Sequence, residues 1–231
     1  MRRQVSRSGL MRKSRQHRYA VKDWANRMAD IPAFLLGNAP SLNDHDLSLL
    51  SDYFTIGINR TFYVLDPTVL FWQDIGLWHT EYHNLQKLEA VKVARDVADP
   101  RRCHYNYHVK GIDYVFGTKP HILQGRGSTG PLACQFAVAL GCRPLILLGM
   151  DCECDAEGNT DFYGVNPHHR PHTMDNCRDG LKFIREFCPV EVISCGQSSL
   201  WPSCRLEDVL ATISAKHKRN RSSYKKQLLG K

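Results

Sequence analysis

At 231 residues, with 42% hydrophobic residues and a net charge of +8, the chain suits one α/β domain with tails. No apolar run reaches about 18 residues, so no membrane span is expected. The basic start lacks a signal peptide's apolar segment, which points to a cytoplasmic protein.

The charge is unevenly placed. Residues 1–27 hold nine Lys/Arg against Asp23, and residues 216–231 hold seven against no acid. That leaves 15 basic and 22 acidic residues in 28–215, a mildly acidic body. The chain therefore divides into a basic N-terminal arm, 1–27, an α/β domain, 28–215, and a basic C-terminal tail, 216–231. Such ends read as flexible and solvated. They are also where nucleic acid or an anionic membrane surface would make contact. Nine scattered cysteines, without repeated C-x-x-C pairs, read as reduced and partly buried thiols.

In chain order, Tyr19 to Met28 suits a short helix leading into the domain. Ala33 to Leu36 is a strand too apolar for a one-sided sheet. Gly37 follows it, and Ser41 or Asn43 can cap a helix whose first turn carries Asp44 and Asp46. Phe54 to Ile58 is a second strand ending at Asn59-Arg60, and Val69 to Trp72 a third ending at Gln73-Asp74. Leu77 to Ala94 is helix-compatible. From Arg101 to Gln124 the signals are short and mixed, as in an irregular insertion.

Gly125 to Pro131 leads into a helix whose apolar face is Leu132, Ala133, Phe136, Ala137 and Leu140, with Ser128 or Thr129 as its cap. Gly141 closes it, and Pro144 to Leu148 is an apolar strand running into Gly149-Met150-Asp151. Cys152 to Thr173 is a long polar loop. A helix from about Met174 to Phe187, a strand at Val190–Ser194 and a helix at Glu207–Ala215 complete the body. This alternation predicts a Rossmann-like single domain, with a mostly parallel sheet and helices on both faces.

In such a sheet, residues just past the strand ends gather along one crevice, where a nucleotide is held. They are Gly37, Asn38, Ser41, Asn59, Arg60, Gln73, Asp74, Arg126, Ser128, Thr129, Gly130 and Asp151. Their amides and hydroxyls suit a base and ribose, and Arg60 and Arg126 can offset phosphate charge. Gly125 to Pro131 lacks the G-K-[ST] ending of a P-loop, so a P-loop NTPase is not predicted. Its backbone amides, with Ser128 and Thr129, can still hold a phosphate at a helix start.

His168, His169 and His172 lie in a loop suited to a general base. The same histidines with Cys152, Cys154 and Cys177 fit no standard zinc spacing. Asp151 has no D-x-D partner, so no metal is assigned.

Leu35 to Leu42 resembles the G-N-G-P-S-L opening of bacterial lipooligosaccharide sialyltransferases. Related openings occur in motility-associated glycosyltransferases and in 6-hydroxymethylpterin pyrophosphokinases. Asn59-Arg60, the run Arg126 to Gly130 with Cys134 to Gly141 and Leu145 to Asp151, and Pro171-His172 ahead of Gly180 to Phe183 are similar to the family's later blocks. The resemblance spans roughly 33–200, more weakly in its middle third. Ala39 stands where the family has a second glycine. The two tyrosines that assist the departing phosphate in those sialyltransferases have no clear match here: Cys152 or Cys154 stands near one, and Tyr163 would be the substitute.

The resemblance implies an inverting, metal-independent glycosyltransferase with no required cofactor, using a nucleotide-sugar donor, CMP-linked first. Asn38 and Asn59 would contact the donor, Ser128 and Thr129 would hold it, and His172 would deprotonate the hydroxyl of a glycan or other acceptor. The alternatives are an ATP- and Mg²⁺-dependent pyrophosphokinase on a pterin-like alcohol and a nucleotide-binding protein associated with nucleic acid, including a DNA-base glycosyltransferase. The sequence leaves a homo-oligomer open.

Overall fold

A computed structural model describes residues 21–101, 103–111, 115–125, 128–166 and 171–231, with Pro171 and His172 described through the backbone. Most of the basic arm, Arg126, His168 and His169 therefore lie outside the described residues.

Among the described residues, eight strands form one parallel sheet: β1 (Ala33–Leu36), β2 (Phe54–Ile58), β3 (Val69–Trp72), β4 (Val91–Arg95), β5 (Tyr105–Lys110), β6 (Ile122–Gln124), β7 (Leu145–Leu148) and β8 (Val192–Ser194). Their order is β6-β5-β4-β3-β2-β1-β7-β8. The chain moves outward from β1 through β6, then returns to the other side of β1 with β7. The order thus reverses between β1 and β7, where Leu35 faces Ile56 on one side and Leu147 on the other. A crevice opens at such a reversal, because the flanking connections leave on opposite faces.

The helices are α1 (Ile75–Lys87), α2 (Thr129–Ala139), α3 (Pro171–Phe187), α4 (Leu206–Thr212) and α5 (Arg221–Leu229). Strand alternation sends Ala33 and Leu35 to the face carrying Leu132, Phe136 and Ile184. Phe34 and Leu36 point the other way, toward Leu42, Leu50, Tyr53 and Val209. Leu70 and Trp72 meet Leu77, Trp78 and Leu85 of α1. Every residue of β1, β2, β3 and β7 is buried, as a sheet covered on both faces requires.

Several expectations are corrected. After β1 there is no regular α-helix. Pro40–Asp44 and Leu47–Leu50 are 3₁₀ turns, and the second is capped by Asp46, whose side chain accepts from the Ser48 amide. Neither Ser41 nor Asn43 caps a helix, and the Asn43 amide reaches 2.9 Å to the Phe162 carbonyl instead. The helix expected through Ala94 ends at Lys87, because Val91–Arg95 pairs with β3 as a strand. The supposed insertion at 101–124 contains β5 and β6, which extend the sheet. The segment leading into the domain is a 3₁₀ turn, Val21–Trp24, rather than a helix to Met28.

The C-terminal tail is not a loose end. Asn220 caps α5 by accepting from the Ser223 amide, and Gly230 ends it at φ 68°. Tyr224 and Leu228, one turn apart, are fully buried in the core. Arg221 pairs with Asp66 at 2.6 Å, and Gln227 donates to the Arg27 carbonyl at 2.7 Å. The basic residues lie around this apolar anchor, so the tail belongs to the domain. Among the described residues, no helix is long and apolar enough to cross a membrane.

Candidate active site

The carboxyl ends of β1, β2, β3 and β7 open into one cleft of about 490 Å³. Gly37, Asn38, Asn59, Arg60, Gln73, Asp74, Ser128, Thr129 and Gly130 all line it. Arg126 lies outside the described residues. His172 is in the first turn of α3, and the residues that follow it, Thr173, Met174 and Cys177, form part of the cleft wall. The helix begins earlier than the expected Met174, which moves His172 from the loop to a helix start.

Two backbones cross at the reversal point. The Gly37 amide donates to the Leu148 carbonyl at 2.8 Å, and the Ala39 amide to the Gly149 carbonyl at 2.9 Å. A Cβ on Gly37 would sit 2.1 Å from the Gly149 carbonyl oxygen. Glycine is required here by the neighbouring strand connection, whatever the cleft binds.

Asn38 donates its amide to the Ile58 carbonyl at 3.2 Å, which ties the ends of β1 and β2. Its side-chain oxygen and that of Asn59 are buried without a hydrogen-bond partner among the described residues. Each such atom costs about 1–3 kcal/mol. Asn59 and Cys152 also have left-handed backbones, φ 52° and 58°, on opposite sides of the cleft. Local strain of this kind collects at functional sites.

Ser128 is the N-cap residue of α2, but its side chain makes no capping hydrogen bond. The first turn of α2 presents amides and the positive end of a helix dipole toward the cleft.

Arg60 is more committed than expected. Its Nε lies 3.0 Å from Glu81 Oε1, and its guanidinium also donates to the Thr80 hydroxyl at 3.0 Å. Tyr63 donates to Glu81 at 2.6 Å and the Asn84 amide at 2.9 Å. The Glu81 side chain is only 8% exposed. Burial would raise its pKa, yet the hydrogen bonds from Tyr63, Asn84 and Arg60 hold it below the ordinary value. The Arg60 charge is thus largely balanced by Glu81, and Arg60 borders the cleft as an oriented donor.

A depressed carboxyl stabilises the fold above its unfolded value, about pH 4.3, and that stabilisation is lost as pH falls through the lower folded value. Glu81→Gln is expected to cost about 1–3 kcal/mol at neutral pH. It should also flatten the acid side of a urea-midpoint profile below about pH 4.3. An unchanged acid side would refute the assignment.

Asp151 departs from its expected place. It is buried and lines a separate, smaller cavity with Ser41. Its Oδ1 accepts from the Gln197 amide at 2.8 Å, joining the connections after β7 and β8. Burial raises its pKa, opposed by hydrogen bonds from Ser41 and Gln197. Asp151 and Ser41 thus lie outside the cleft lining.

Further lining residues lie outside the set expected at the strand ends. Tyr163, Asp161 and Asn166 come from the long loop, pinned where the Phe162 amide donates to the Asn38 carbonyl at 2.7 Å. The Asn166 amide donates to the Tyr163 hydroxyl at 3.2 Å. Burial, and then the charge of Asp161, push the Tyr163 phenol up to about 12, against the opposing pull of Arg60. It is a neutral hydrogen-bond donor at physiological pH. Cys152 and Cys177 also line the cleft, and their mutual hydrogen bond keeps the Cys152 thiol protonated. Among the described residues, the two do not join Cys154 in a metal-ligand cluster.

No family of known proteins and no curated protein matches the sequence. Similar solved structures include the sialyltransferase CstII from Campylobacter jejuni in complex with a substrate analogue, cytidine-5'-monophosphate. It is 14% identical with a TM-score of 0.42, covering 74% of this chain and 83% of that chain. A complex of sialyltransferase CST-II with trisaccharide acceptor and CMP is 15% identical with a TM-score of 0.42, covering 71% and 80%. The Campylobacter jejuni CstII complex with CMP-3FNeuAc is 13% identical with a TM-score of 0.44, covering 71% and 80%.

Proposed function

We propose that the cleft binds a nucleotide sugar and transfers its sugar, with inversion and without a required metal, to the hydroxyl of a glycan or other acceptor. The observation that carries this reading is the convergence, at the sheet's reversal point, of two buried amide oxygens that lack donors among the described residues with a helix start and a neutral phenol. Asn38 and Asn59 suit ribose or base groups that donate hydrogen bonds, which would relieve their cost after a small side-chain rotation. The amides at the start of α2, with Ser128 and Thr129, suit the donor phosphate.

Tyr163 suits the departing phosphate oxygen, because a neutral phenol donates a hydrogen bond as charge develops. His172 takes the proton of the acceptor hydroxyl while that oxygen attacks the anomeric carbon and the nucleotide leaves from the opposite face. A monophosphate leaving group, as in a CMP-linked donor, develops less charge than a diphosphate. One helix start and one phenol are matched to that smaller charge.

The test is release of free CMP from a CMP-linked sugar in EDTA. Release that rises with a glycan acceptor supports the proposal. Turnover seen only with ATP, Mg²⁺ and a pterin-like alcohol would replace it with pyrophosphoryl transfer.

A further inference from the structure

Beneath α1, the turn between β4 and β5 gathers Asp99, Cys103 and His104, none of which lines the cleft. Cys103 Sγ is 3.6 Å from Asp99 Oδ1 and 3.5 Å from His104 Nε2. Ligands held about 2.0–2.3 Å from a tetrahedral zinc-type ion lie about 3.5 Å from one another. The two distances from Cys103 are already those of a tetrahedral edge, and all three ligand atoms lie within 4.8 Å of one another.

The surroundings hold each group in place. Asp99 is fully buried, and its carboxylate accepts from the amides of Cys103 at 3.2 Å and His104 at 2.9 Å and from Asn106 Nδ2 at 3.1 Å. The His104 ring is set edge-on to Trp72 and Trp78, with centroids 5.4 and 5.2 Å away. Closing the turn requires only the Asp99 carboxylate and the two amides. It does not require a thiol and an imidazole nitrogen to converge on that carboxylate. Cys103 is exposed, so the outer side of the cluster opens to solvent.

We propose that Asp99, Cys103 and His104 bind a divalent transition ion of the zinc class through one carboxylate oxygen, one thiolate and one imidazole nitrogen, with water as the fourth ligand. The thiol releases its proton to solvent on binding. Mixed sulfur, nitrogen and oxygen ligands select zinc or cobalt over magnesium. Asn106, which orients Asp99, is a supporting group outside the ligand set.

The test titrates Co²⁺ into the full chain after EDTA treatment and exchange into chelator-free reducing buffer. One equivalent of Co²⁺ should produce a near-ultraviolet thiolate-to-cobalt charge-transfer band, displaced by Zn²⁺ and not by Mg²⁺. Cys103→Ser, at an exposed position, should abolish the band, whereas Cys154→Ser should keep it. Asn106→Ala should weaken binding about 10–100-fold. Absence of the band, or its survival in Cys103→Ser, would overturn the site.

Discussion

Replacing His172 with alanine is expected to lower acceptor-dependent transfer by about 10²–10⁴-fold. Donor affinity should stay unchanged, because the assigned role concerns the acceptor proton. The two effects separate in one preparation, with CMP affinity measured by titration calorimetry and turnover by nucleotide release. His168→Ala and His169→Ala are the matched comparisons and should retain transfer. If His172→Ala keeps full activity while one of these abolishes it, the base belongs to that histidine. If all three remain active, the proposed acid–base step is wrong.

The second large effect is on stability. Tyr224→Ala is expected to cost about 3–5 kcal/mol, as for other buried aromatic truncations. At roughly 2–4 °C per kcal/mol, the melting temperature should fall by about 6–20 °C. Tyr224 packs against Phe54 of β2 with centroids 5.6 Å apart, and its hydroxyl donates to the His217 carbonyl. The following residues of β2 lead directly to Asn59 and Arg60, so the damage would extend toward the cleft. Deleting 216–231 would remove this packing as well as charge, and would not be a clean test of binding through a basic tail. A loss below about 0.5 kcal/mol, the range of ordinary surface substitutions, would mean that α5 does not hold the fold together.

That helix illustrates where sequence reading fails. Seven basic residues obscure two apolar anchors, Tyr224 and Leu228, although Asn220 and Gly230 bracket them with recognisable cap residues. The central strands were legible because burial on both faces leaves unbroken apolar runs such as Ala33–Leu36 and Leu145–Leu148. Polar residues just beyond those runs were legible for the same reason, and nine of the expected residues share one cleft. Val91–Arg95 was not legible, because Lys92 and Arg95 continue a pattern compatible with the preceding helix. β5 mixes polar and apolar residues near the edge of the sheet, where one-sided solvent contact breaks the run.

The site was less legible where long-range contacts set it. Tyr163 enters the cleft because Phe162 pairs with Asn38, a contact across more than a hundred residues. The pairing of Arg60 with Glu81 depends on how α1 packs beside the turn after β2. Asp151 looked like a cleft residue from its position after a strand, but its carboxylate turns toward Gln197. Strand ends identify the edge of the sheet, but the side-chain direction there depends on neighbouring connections.

The most direct measurement of the central claim is thermal stabilisation of the full chain by CMP, UDP, GDP and ATP, each with Mg²⁺ and with EDTA. A ligand near 100 times its dissociation constant adds about 2.7 kcal/mol, or roughly 5–11 °C here. The expected result is a shift with CMP that persists in EDTA and shrinks in Asn38→Ala and Asn59→Ala. No shift with any pyrimidine nucleotide, or a shift that appears only with ATP and Mg²⁺, would contradict it.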